Sequence, residues 1–218
     1  MNDFIHFIKK PTYSESCKQI NWKMFFLLFF ASVIVISPMV FVIKMAVDIW
    51  GFSYKKPQMS CLKLLFLAAI YAPIVEELFF RSLLVFKKSN IISYLSICFL
   101  LGIWFFYNGS YQSILNLSAV VVAVALALVF YNQSKEFVVK RYPIVFYFSS
   151  IVFGLVHIFN YQGVTFHNFI FSILLVLPQL TLGVVLGYIR VSYGLAYSIL
   201  FHFLCNLPGV IVVYFISC

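Results

Sequence analysis

Residues 62–86 read LKLLFLAAIYAPIVEELFFRSLLVF. The run is long enough to cross a bilayer as a helix, which needs about 20 apolar residues. Yet it carries Glu76, Glu77 and Arg81. A charge held at mid-bilayer costs about 2.5–3.5 kcal/mol or more, so such residues face a bundle interior and mark function. The run is therefore a span only if the rest of the chain builds a membrane bundle around it.

Composition agrees. Of 218 residues, 64% are hydrophobic and only 10% charged, and the mean hydropathy is +1.04. That is too little charge to coat a soluble domain. The fold class is all-α, a polytopic transmembrane helical bundle of about seven spans, with six to eight as the range. The spans fall near 24–47, 62–86, 90–107, 112–131, 143–160, 168–189 and 193–216. The first is too long for a signal-peptide core and lacks a small-residue cleavage site, so it reads as a retained helix. Residues 90–131, with a tight connection, read as a helical hairpin, while "GFSYKKPQ" (51–58), "NQSKEFVVKRYP" (132–143) and "NYQGVTFHN" (160–168) read as loops. The chain divides into a cytoplasmic N-terminal segment, 1–23, and a single transmembrane helical domain, 24–218. Gly183 and Gly187 form a GxxxG step that marks close helix packing.

The net charge of +9 is accounted for by topology. With the N-terminus inside, Lys9, Lys10, Lys18, Lys23, Lys87, Lys88, Lys135, Lys140, Arg141 and Arg190 are cytoplasmic, against Lys44, Lys55, Lys56 and Lys63 outside. There is no basic face interleaved with aromatics, so nucleic acid is not an expected partner. The cysteines (Cys17, Cys61, Cys98, Cys205, Cys218) form no CxxC pair and read as small helix residues rather than a disulfide or zinc framework.

Helical spacing separates the two glutamates. Glu77 and Arg81 are i,i+4 and share a face. Glu76 lies about 100° round the helix and is left for another task. His157 ends the fifth span, with Phe153 one turn before it. His202 lies in the seventh span, with Asn206 one turn after it. His6 and His167 fall outside the spans and read as solvated. At ~1.5 Å per residue, Glu76 lies about 15 Å from the inner edge, His202 about 13 Å, Asn206 about 20 Å and His157 about 21 Å, so neighbouring helices could bring them together.

Without a serine or cysteine nucleophile, this set suits activation of water. Glu76 takes the proton and His157 holds the water, while His202 and Asn206 donate hydrogen bonds to the oxyanion. Carboxylate and imidazole are also zinc ligands. No HExxH occurs, and the oxyanion role accounts better for Asn206. No cofactor is required on this reading. A divalent metal such as zinc stays open, with Glu76, His157 and His202 as its ligands.

"EELFFR" (76–81), "FGLVH" (153–157) and "HFLCN" (202–206) resemble, in order, the EExxxR, FxxxH and HxxxN motifs of the CAAX-protease and bacteriocin-processing (CPBP, or Abi) family of intramembrane endopeptidases. Gln179, Gly183, Gly187 and "YGLAYSILFH" (193–202) fit the approach to the third motif, and the resemblance covers about 60–210. It implies a helical bundle around a water-accessible cavity in which Glu76 and His157 activate water. His202 and Asn206 would stabilise the oxyanion, Glu77 and Arg81 brace the site, and Phe153 pack beside it. Members cleave prenylated CAAX tails in eukaryotes, or act on peptides, leaders and bacteriocin-related systems in bacteria.

The expected partners are the lipid bilayer and a peptide or membrane-protein substrate. The expected location is a bacterial plasma membrane, with an endoplasmic reticulum homologue as the alternative. Two other functions compete. One is a non-catalytic immunity or regulatory protein binding a peptide in the same cavity. The other is a proton-coupled carrier, whose usual duplicated halves with broken helices are not seen here.

Overall fold

The computed structural model describes residues 1–55 and 60–217. Lys56 and Cys218, with the end of the 51–58 turn, lie outside the described residues. In chain order the helices are α1 (Asn2–Lys9), α2 (Trp22–Trp50), α3 (Cys61–Leu65), α4 (Ala72–Arg81), α5 (Lys88–Tyr107), α6 (Tyr111–Val129), α7 (Tyr131–Lys140), α8 (Tyr142–Val156), α9 (Phe169–Ser172), α10 (Leu177–Tyr193) and α11 (Leu195–Ser217). Five stretches are long and apolar enough to cross a membrane: Trp22–Trp50, Lys88–Tyr107, Tyr111–Val129, Tyr142–Asn160 and Phe166–Tyr193. Leu195–Ile211 is a shorter apolar helix. Residues 61–84 are helical throughout but change type along their length, from α3 through a π turn (Phe66–Tyr71) and α4 to a 3₁₀ turn (Ser82–Leu84). Each expected span thus meets a helix, and the chain is an all-α bundle of the kind that crosses membranes several times.

Helix α10 is the post around which the others stand. From Leu182 to Tyr193 nearly every residue is buried, against α8, α11 and α2. A helix buried on nearly every face belongs inside a bundle, and its one charged residue, Arg190, donates from Nε to the Arg81 carbonyl at 3.1 Å. Its glycines set the separation from α8. A Cβ on Gly183 would meet the Ser150 carbonyl oxygen at 2.9 Å, and one on Gly187 would meet the Phe146 ring at 2.7 Å. Gly194, at φ 109°, makes the turn that lays α11 beside α10. By contrast α6 buries no residue and packs mainly on α5. The expected hairpin stands at the periphery with its apolar faces outward.

Three features depart from the sequence reading. The segment expected as a loop after α6 is largely helix α7, supported by the Glu136–Lys140 i,i+4 pair at 2.6 Å. Its low hydropathy hid a short helix. The two loops at one end pair as a minimal antiparallel ribbon, β1 (Ser53–Tyr54) with β2 (Tyr161–Gln162). Such a pair is marginal alone and is held here by the bundle beneath it.

The N-terminal segment also folds onto the bundle. Phe7 is buried against Phe146 and Tyr188, and the Tyr147 hydroxyl donates to the Ile8 carbonyl. Tyr13 donates to Phe86 O at 3.2 Å, and Lys18 N–H to Ser192 O at 2.7 Å. Glu15 ties this strap to two other elements. Its carboxylate meets Lys135 at 2.5 Å, and its carbonyl accepts from Lys87 Nζ at 2.7 Å.

The hydrogen bond from Lys135 holds the Glu15 carboxyl below its ordinary value. A carboxyl depressed by folding stabilises fully above its unfolded value, about 4.3, and the contribution is lost as pH falls through the folded value. Glu15→Gln is therefore expected to speed tryptic cleavage at Lys9 and Lys18 at neutral pH. Equal cleavage of variant and wild type at pH 7 would show that Glu15 does not hold the strap.

Candidate active site

Six of the seven singled-out residues meet where α4, α8 and α11 face one another. Glu77 and Arg81 are both fully buried, with Arg81 Nε 3.8 Å from Glu77 Oε2. Arg81 also reaches the Gly183 carbonyl with Nη2 at 3.4 Å. Its guanidinium carbon stands 4.0 Å over the Phe153 ring. A buried cation is thus matched by one carboxylate, one carbonyl dipole and an aromatic face.

Phe153 serves both histidines as well. Its ring meets His157 edge-on with centroids 5.0 Å apart and His202 at 5.7 Å. Its carbonyl lies 2.7 Å from His157 Nδ1. A carbonyl only accepts, so Nδ1 of His157 carries a proton, and the neutral form of the ring presents Nε2 as an acceptor.

His202 is fixed in the same sense by a different partner. Its Nδ1 lies 3.1 Å from Glu77 Oε1, and a carboxylate orients it as an Nδ1–H donor. The other Glu77 oxygen accepts from the Ser198 hydroxyl. Both imidazoles then turn Nε2 toward one atom, Glu76 Oε2, at 3.7 Å from His157 and 3.8 Å from His202. That oxygen has no hydrogen-bond partner in the protein. The Glu76 side chain is 27% exposed and Glu77 not at all, so the first glutamate opens partly out of the packed core and the second does not.

Asn206 stands slightly apart. Its Nδ2 donates to Ala68 O at 3.1 Å. The reason lies in the π turn, where Ala72 N–H bonds Leu67 O five residues back. The next donor in that register would be residue 73, a proline without an N–H. Ala68 O is therefore orphaned, and Asn206 supplies its donor. The amide keeps a second hydrogen and its oxygen for other partners.

Ser198 was not singled out by sequence, although Ser198, His202 and Asn206 fall at i, i+4 and i+8 on one face of α11. That polar stripe was the available signal. Carboxylate and two imidazoles form a zinc-type donor set. Among the described residues, however, no group of three or more His, Cys, Asp or Glu is placed as a metal site.

Residues 133–208 match a family model described as Type II CAAX prenyl endopeptidase Rce1-like. Over this segment, about a third of the chain, the protein is similar to the CAAX-protease family. The matched residues include His157, His202 and Asn206, while Glu76 and Glu77 lie before them. The family is one of proteases, and with the apolar helices it makes the chain an integral, multi-pass membrane protein. No curated protein and no solved structure matches the chain.

Removing one member of a buried pair leaves an uncompensated charge, costing about 3–5 kcal/mol. Glu77→Ala is expected to lower thermal stability in detergent by that order, and Ser198→Ala by only about 1 kcal/mol. Equal unfolding temperatures for wild type and Glu77→Ala would contradict this account of the buried framework.

Proposed function

We propose that the protein is an intramembrane endopeptidase that hydrolyses a peptide bond of a membrane-associated peptide or protein, using water activated by Glu76 and His157. The observation that carries the reading is the single unpartnered carboxylate oxygen between two imidazole Nε2 atoms, at 3.7 and 3.8 Å. Those separations exceed a hydrogen bond and suit one bridging water.

In the proposed reaction Glu76 takes one proton of that water while His157 Nε2 accepts the other hydrogen and orients the oxygen. The water oxygen bonds to the scissile carbonyl carbon. Glu76 passes its proton to His202 Nε2, and the imidazolium so formed is balanced by Glu77 at Nδ1. As an imidazolium His202 donates to the oxyanion, together with the free amide hydrogen of Asn206. The C–N bond then breaks, and the Nε2 proton leaves with the departing amine. A neutral His202 could not donate through Nε2 while its Nδ1–H is committed to Glu77, so its oxyanion role depends on this transfer.

The proposed reaction needs no metal. The proposed substrate is a peptide, leader or prenylated tail reached from the bilayer, as in peptide or bacteriocin processing or self-immunity. The proposed setting is a bacterial plasma membrane with the N-terminus in the cytoplasm; nucleic acid has no part in it.

The test is cleavage of a peptide library by the protein in liposomes. We expect Glu76→Gln and His157→Ala to lose cleavage by about 10²–10⁴-fold, the usual worth of a positioned base. Wild-type cleavage is expected to survive 1,10-phenanthroline. Undiminished cleavage by Glu76→Gln would end the proposal, and loss of wild-type cleavage with the chelator, restored by zinc, would end its metal-free form.

A further inference from the structure

A cavity of about 420 Å³ lies beyond Asn206, on the side of the bundle away from the N-terminal strap. Its volume falls within the range of about 300–1,000 Å³ usual for small-ligand sites. The walls include Tyr54, Leu64, Ala68, Gln179, Cys205 and Asn206. Asn206 is one turn past His202 on α11, and Ala68 is two turns before Glu76 on the facing helix. The cavity therefore lies one to two helical turns from the Glu76 cluster, with Asn206 on its wall.

Most of this wall is apolar, but Gln179 is not, and its Oε1 is enclosed with no hydrogen-bond partner. An enclosed acceptor left unpaired costs free energy that the fold does not recover elsewhere. The last torsion of a glutamine side chain is broad, so the carboxamide can turn its oxygen into the cavity without moving α10.

We infer that this cavity is a substrate subsite, in which Gln179 accepts the backbone N–H of an extended peptide whose apolar side chain lies against Leu64 and Ala68. An acyl chain would fill the same walls but leave the Gln179 oxygen unpaired, whereas a peptide amide brings the missing donor. The inference rests on the peptidase reading for the direction of the chain, since the bond to be cut lies beside Glu76 and the held residue about two turns away. Gln179 is thus a binding residue and takes no part in proton transfer.

Cys205 offers a readout independent of cleavage. The full-length protein, with Cys17, Cys61, Cys98 and Cys218 replaced by alanine, is placed in nanodiscs and treated with a membrane-permeant methanethiosulfonate. The probe is a mixture of blocked, apolar hexapeptides, applied in the Glu76→Gln background so that bound peptide persists. We expect the peptides to protect Cys205, and Gln179→Met, which keeps the volume but removes the acceptor, to raise the peptide concentration needed about tenfold. Without peptide, Cys205 should label at the same rate in both variants, which shows that the cavity is intact. In cleaving protein Gln179→Met should raise KM and leave kcat within about twofold, the signature of lost uniform binding.

No protection of Cys205, or protection that Gln179→Met leaves unchanged, overturns the inference. Protection by peptides that the wild type never cuts supports the subsite while removing the peptidase reading.

Discussion

Everything at this site depends on keeping Arg81 charged where water does not reach. Its guanidinium has no solvent exposure and is held by Glu77, the Gly183 carbonyl and the Phe153 ring. Each of those partners has a second duty. Glu77 fixes His202, the Phe153 carbonyl fixes His157, and Gly183 allows α10 to approach α8 closely. The brace for a buried charge thereby becomes the frame that aims two imidazoles at Glu76. A substitution at any of these positions disturbs packing and chemistry together.

The same logic separates the adjacent glutamates. Both sit on α4, but one residue of helix rotation sends Glu77 into the dry centre and Glu76 toward a partly open space. Glu77 is saturated by Arg81, His202 and Ser198. Glu76 has imidazoles near it but no hydrogen bond on its inner oxygen. A saturated carboxylate is a structural anion. An unsaturated one is free to take up a proton.

Much of this was legible in the sequence because it depends on local spacing. The Glu77–Arg81 contact follows from i,i+4, and the seven hydrophobic runs all became helices. What could not be read depends on partners distant in the chain or on departures from regular geometry. The donor for Ala68 O is Asn206, needed only because a π turn and Pro73 coincide. Strap residues such as Phe7 and Glu15 give no local sign that they dock against Tyr188 and Lys135. Helix α7 was concealed by its polarity. Ser198 was visible in principle, since it continues the His202–Asn206 stripe by one turn.

The central claim is that both histidines carry their resting proton on Nδ1 and present bare Nε2 atoms to Glu76. Nitrogen-15 NMR of ring-labelled histidine in the reconstituted protein reports this directly, with the two signals assigned from His157→Ala and His202→Ala samples. The account predicts an Nδ1–H ring for both residues, with Glu77→Gln altering the His202 pattern and leaving that of His157 unchanged. A resting Nε2–H on either ring would turn a donor toward the glutamate in place of an acceptor and would contradict the account.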